Sequence, residues 1–344
     1  MRRKLFVVTA IGAIVIGVHL DAPRRTLASA QQDSAFTDEQ CDRACLNDFV
    51  GRYLDAVVAH DPSRLAVTKL VKFTENGQKL ELGDGFWRTA TGPGTYKLYV
   101  DDTQAGEVGF MGTMREAGTP VMVAIRLKIE NRKISQIETI VVRNAQEAEN
   151  LEKLGSPNPR FLQSIPPIER ISRLDLIKTA NKYFSALQLN DGKGDYSFFA
   201  DDCNRVENGT LGTNNPAAQP PPRPGQPVYM STAWSCKKQF ESGFYHFVTR
   251  IRDRRFLVVD TERGLALAFA FFDHAAGNTR TFQLPDGSTI TEGPTTPWTW
   301  ELAELFEVQN GEIRQIEAEF HQVPYGMGSG WGSWEDSTST EPMF

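Results

Sequence analysis

The sequence predicts an α+β protein of two tandem domains, each an antiparallel sheet packed on N-terminal helices. Three recurrences carry this reading. An amphipathic segment, CLNDFVGRYLDAVVAHD, is matched by LDLIKTANKYFSALQLND, and each copy is followed by strand-like runs. The tripeptide Glu75-Asn76-Gly77 returns as Glu207-Asn208-Gly209, and Asp102…Gly106 returns as Asp260…Gly264. The closing strands VMVAIRLKIENRKISQIETIVV return as TWELAELFEVQNGEIRQIEAEFH. A repeat of this length in a fixed order argues two similar domains.

Taken in order, Arg2, Arg3 and Lys4 precede the apolar run Leu5–Leu20, and Ala28-Ser29-Ala30 offers a small-residue cleavage site. This is the pattern of a secretory leader. The run is 16 residues long, short of the roughly 20 needed to span a bilayer. Residues 1–30 are therefore expected to be removed and the mature chain exported, to a periplasm or the extracellular space. The net charge of −6 offers no basic surface for nucleic acid, and no second apolar run is long enough to enter a membrane. Export makes disulfides plausible for the four cysteines. Cys203 is expected to pair with Cys236 across a Pro-rich loop, and Cys41 with Cys45. The spacings are not those of zinc sites.

The first domain is expected over 41–143. Leu46, Phe49, Val50, Tyr53, Leu54, Val57 and Val58 recur at spacings of three and four, which places them on one helical stripe. Asn76-Gly77 between strand-like runs signals a hairpin. Tyr96–Val100 and Val121–Ile129 alternate as strands do. Residues 144–173 read as a linker, with a polar helix-prone start broken by Pro157, Pro159, Pro166 and Pro167. The second domain, 174–334, opens on a helix carrying Leu174, Ile177, Ala180, Phe184 and Leu187. It holds a Pro-rich insertion, 213–227, expected to be an extended surface loop. The tail, 335–344, is expected to be disordered.

These pieces resemble the nuclear transport factor 2-like (SnoaL-like) superfamily. The resemblance rests on the helices bearing Tyr53…His60-Asp61 and Tyr183…Asp191, and on the closing strands ending in IETIV and IEAEF. The second copy is also similar to an uncharacterised secreted domain common in fungi, through Glu207-Asn208-Gly209, Arg254-Arg255…Asp260, Phe272-Asp273-His274 and the ending VPYGMGSGW. The resemblance implies a sheet curled into a cone whose mouth holds a small apolar ligand, in cofactor-independent isomerases, dehydratases, cyclases and lyases as well as binding modules. Fold alone does not decide among these.

The differences between the copies point to a site in the second. Alignment sets Glu304 opposite Ile125, Glu319 opposite Ile140 and His321 opposite Val142. Glu304 then falls within the stripe Trp300, Leu302, Phe306 and Val308, where desolvation raises a carboxyl pKa and suits it to proton transfer. Glu319 and His321 share one face of the last strand, and His274 ends the run LALAFAFFDH. Alternation aims Arg250, Arg252 and Arg254 to one side and Arg255 to the other, and Arg250 is a candidate to hold a carboxylate or phenolate. Trp234, Trp298 and Trp300 are candidate flat pocket walls. VPYGMGSGW is expected to fold over the cone mouth.

The expected activity is that of a lyase, dehydratase or isomerase without cofactor, acting on a small hydroxylated aromatic or polycyclic molecule. Glu304 or His321 would remove a proton, and His274 or Tyr245 would protonate a leaving hydroxyl or steady an oxyanion. No metal site is expected. The alternative is a binding module for an apolar ligand that does no chemistry. Should the two sheets meet as superfamily dimers do, the chain would be a monomer with an internal pseudo-dimer.

Overall fold

The computed structural model describes residues 41–218, 230–283 and 289–343. The expected leader and most of the Pro-rich insertion lie outside these residues. Helix α1 (Arg43–Val58) starts at Asp42, whose carboxylate accepts from the Cys45 amide, and it buries Leu46, Phe49, Val50, Tyr53, Leu54 and Val57. The stripe read from the sequence is thus the buried face. Strands β1 (Val67–Glu75), β2 (Gln78–Lys79), β3 (Ala90–Asp102), β4 (Glu107–Glu116), β5 (Thr119–Glu130) and β6 (Lys133–Val142) form one sheet in the order β2-β1-β6-β5-β4-β3. Asn76 and Gly77, both at positive φ, turn β1 into β2, as the two-residue hairpin signal requires.

The expected linker is structured and packed. It forms α2 (Ala145–Lys153), capped by Asn144, and α3 (Pro159–Leu162), and it buries Ala148, Leu151 and Phe161. Helix α4 (Arg173–Gln188) follows, capped by Ser172. A second sheet is built from β7 (Phe199–Glu207), β8 (Thr210–Leu211), β9 (Arg250–Asp260), β10 (Leu265–His274), β13 (Trp298–Gln309) and β14 (Glu312–Val323). Between these elements lie α5 (Cys236–Glu241) and the hairpin of β11 (Arg280–Gln283) with β12 (Thr289–Glu292). The described part of the tail, 335–343, is ordered, against expectation: α6 (Trp334–Thr338) and β15 (Pro342–Met343) form there, and β15 pairs with β9. The order is β15-β9-β10-β13-β14-β7-β8.

The architecture is α+β, with two curled sheets. Both are mixed rather than wholly antiparallel, because β1 lies parallel to β6 and β7 parallel to β14. Their registers match: Ile125 pairs with Thr139 and Thr139 with Glu75, while Glu304 pairs with Ala318 and Ala318 with Glu207.

Each sheet packs one face on its own helix and the other against its neighbour. The shared layer includes Leu98, Met111 and Ile140 from the first sheet and Leu267, Phe269 and Leu305 from the second. Strands covered on both faces lose the polar half of their alternation, so β5 and β10 are apolar almost throughout. Ion pairs cross the seam reciprocally. Arg43, which opens α1, reaches Asp260 at 2.6 Å, and Arg173, which opens α4, reaches Asp102 at 2.5 Å. Arg255 grips Glu138 through two bonds of 2.8 Å.

Both cysteine pairs, Cys41–Cys45 and Cys203–Cys236, are disulfides, which is compatible with an exported protein. Among the described residues no helix is long and apolar enough to cross a membrane.

Candidate functional site

A cavity of about 330 Å³ opens in the second sheet on the face turned toward α4. Leu187, Phe244, Phe272, Trp300, Leu302 and Phe320 give it apolar walls, and Tyr183, Arg205, Glu207, Tyr245 and Glu304 give it polar groups. Strands β13, β14 and β7 set Glu304, Ala318 and Glu207 side by side across the sheet. The small methyl of Ala318 in the middle leaves space between the two carboxyl groups.

Glu304 is 2 % exposed, and its Oε2 has no hydrogen-bond partner. Burial, reinforced by the charge of Glu207, pushes its pKa up to about 8, with Arg205 and a hydrogen bond from Tyr183 working the other way. At neutral pH this carboxyl therefore keeps its proton and is a donor.

Arg205 organises the remaining polar groups. Its Nη2 donates to Gln239 Oε1 at 2.7 Å and to the Tyr245 hydroxyl, and its Nη1 lies 3.4 Å from the Tyr183 hydroxyl. Its Nε stands 3.3 Å from Glu207 Oε1. Burial opposes the guanidinium charge, yet Glu207, Tyr245 and Tyr183 hold its pKa well above the ordinary value. Burial likewise lifts Tyr245 to about 12, against the pull of Arg205. The Cys203–Cys236 disulfide ties β7 to α5, and so keeps Gln239 beside Arg205.

In the first domain Glu75 keeps the place of Glu207, but two of the matching positions are apolar. By register Phe73 stands where Arg205 does and Ile125 where Glu304 does. Trp87 fills the space, edge-on to Tyr53 with ring centroids 5.4 Å apart.

Of the residues singled out from the sequence, Glu304, Tyr245 and Trp300 meet at the cavity. The others do not. His321 and Glu319 alternate to the opposite face of β14, toward the seam. There His321 Nε2 lies 3.0 Å from Glu301 Oε2, and Glu319 is held well above the usual carboxyl range by burial and by Glu317. His274 is fully buried, stacked on Trp298 at 3.5 Å, and burial lowers its pKa to about 4. Neither His274 nor Trp298 lines the cavity. Trp234 also lies outside its lining, with the Lys238 ammonium over its ring.

Arg250 pairs with Asp273 at 2.7 Å on the far face. Asp253, at φ 50°, interrupts the alternation of β9. Arg254 consequently reaches α4 at Asn181, Ser185 and Gln188 rather than following Arg250 and Arg252. The segment expected over the cone mouth crosses instead to the first domain: Trp331 Nε1 donates to Thr74 Oγ1 at 2.9 Å. Among the described residues no cluster of His, Cys, Asp and Glu could hold a metal.

Arg205, Glu207, Tyr183 and Gln239 were missed. Extending the copy-to-copy comparison to the residue two before each Glu-Asn-Gly would have exposed Arg205 against Phe73. The turn itself is structural: Asn76 bonds the Val141 backbone, and Asn208 bonds that of Phe320.

A family described as a domain of unknown function, DUF8021, matches residues 169–320. No curated protein matches the chain. Solved structures similar to part of it include a de novo designed protein with a curved β-sheet (14 % identity, TM-score 0.25, covering 44 % of this chain and 88 % of that one). A putative isomerase from Bacillus subtilis gives 8 %, 0.27, 43 % and 87 % for the same quantities. AusH from Aspergillus nidulans gives 11 %, 0.26, 44 % and 86 %. At these TM-scores they carry no functional weight.

Proposed function

We propose that the second domain is a cofactor-independent lyase, dehydratase or isomerase acting on a small oxygenated ring compound. The observation that carries this is the buried carboxyl of Glu304, with one oxygen unpartnered and its pKa pushed up by burial, in a largely apolar cavity. A buried group costs free energy when its hydrogen bonding is incomplete, and a ligand oxygen at Oε2 completes it.

In a dehydration, Glu304 gives its proton to the leaving hydroxyl as the C–O bond breaks. The electrons of the neighbouring C–H bond form the new C=C bond, and that proton passes to the Glu207 carboxylate at the rim. Water leaves, and proton exchange with solvent restores both carboxyls. An isomerisation uses the same pair without loss of water. General acid–base groups of this kind contribute roughly 10²–10⁴ in rate.

The test is untargeted mass spectrometry of extracts from the host's growth medium, incubated with the mature chain or with Glu304→Gln. A compound that loses water or isomerises only with the unsubstituted chain is the expected result. Equal conversion by both removes Glu304 from the chemistry, and retention of an unchanged compound by both indicates a binding module.

A further inference from the structure

The same cavity carries a statement about its ligand's charge, which rests on the reading above. Among the described residues lining it, Arg205 is the cationic one. A buried guanidinium in an apolar pocket is ordinarily the anchor for a ligand carboxylate. Here its Nη donors have partners, and its Nε, which has no hydrogen bond, is covered by the charge of Glu207. Gln239 and Tyr245 take Nη2, Tyr183 faces Nη1, Glu207 stands against Nε, and the Tyr245 ring lies under the guanidinium carbon at 5.0 Å. An entering carboxylate would also meet the charge of Glu207, which stands across Ala318 from Glu304. Among the described lining residues Oε2 of Glu304 and Nε of Arg205 have no hydrogen-bond partner, and the Nε has Glu207 3.3 Å away.

We propose that the cavity selects a neutral ring compound presenting one acceptor oxygen, ketone or hydroxyl, to Glu304, and that Glu207 excludes carboxylate ligands by balancing the charge of Arg205. Size agrees. A dry cavity of about 150 Å³ accommodates benzene, and this one, at about 330 Å³, suits a fused pair of rings.

Three probes of one shape separate the possibilities in equilibrium dialysis against the mature chain. These are 2-acetylnaphthalene (neutral acceptor), 2-naphthoate (anionic) and 2-isopropenylnaphthalene (no oxygen). At pH 6.5 the ketone is expected to bind at least tenfold tighter than either of the others. Raising the pH to 9.5 ionises Glu304 and is expected to weaken the ketone by at least fivefold while leaving the hydrocarbon unchanged. Glu207→Gln, and independently the shorter Glu207→Asp, release Arg205 and are expected to strengthen 2-naphthoate at least tenfold. Circular dichroism and a thermal melt confirm that each variant is folded.

Naphthoate binding as tight as the ketone in the unsubstituted chain overturns the proposal. So does naphthoate affinity unmoved in both folded Glu207 variants. If none of the three probes binds, the cavity is not a ligand site and the functional reading above fails with it. If the ketone binds but naphthoate binds equally, only the charge selection is lost.

Discussion

The seam between the sheets makes a quantitative prediction about pH. Glu317 lies on the seam face of β14, 2 % exposed, and its Oε2 accepts from the Tyr96 hydroxyl of the first sheet at 2.8 Å while Oε1 has no partner. Burial raises its pKa from the ordinary 4.5 to about 7. The folded chain thus holds a proton here that the unfolded chain releases between those values. The stability this contributes is fully present below pH 4.5 and is lost as pH rises through 7. From pH 5 to pH 9 the loss is roughly 2–3 kcal/mol for this one group. Glu317→Gln keeps the shape and removes the proton. Urea unfolding followed by tryptophan fluorescence at pH 5, 7 and 9 should show the variant losing about 2–3 kcal/mol less than the unsubstituted chain across that range. Parallel losses in the two proteins would mean that Glu317 is ionised in the folded state, and the seam described above would be wrong at its centre.

Three other outcomes are expected. Replacing Cys203 and Cys236 by Ser opens a loop of sequence separation 33 and should cost roughly 3–4 kcal/mol by the chain-entropy estimate, measured by urea unfolding; an unchanged midpoint would deny the disulfide a structural role. The Asn208-Gly209-Thr210 sequon is closed in the fold, because Asn208 is 6 % exposed and its amide donates to Glu147 at 3.0 Å and to the Phe320 carbonyl at 2.9 Å. The intact mass from a glycosylating host should show no glycan there, and a glycan on Asn208 would contradict that packing. The seam is the surface a second copy would need, so light scattering should give a monomer, and a stable dimer would count against the internal pairing.

Much of the site's position was legible in the sequence, because strand alternation works wherever one face stays distinct. Glu304 stood out as a carboxylate in the stripe Trp300, Leu302, Phe306 and Val308, and the ladder places it so. Legibility failed for three physical reasons. Strand β14 is buried on both faces, so alternation could not say which face held the cavity, and His321 and Glu319 were assigned to the wrong one. The parallel pairing of β7 with β14 joins segments far apart in sequence, and it alone brings Arg205 and Glu207 to Glu304. The left-handed residue Asp253 breaks a pattern that the arginine spacing alone made look continuous.

The proposed chemistry requires Glu304 to hold a proton at neutral pH inside the cavity of the second domain. The most direct measurement is a ¹³C titration of the glutamate side-chain carboxyls, with the Glu304 resonance identified by its absence in Glu304→Gln. A midpoint near 8 is the predicted result. A midpoint near the ordinary 4.5 would make Glu304 a buried carboxylate paired with Arg205, and would contradict both the proton donor and the ligand assigned to it.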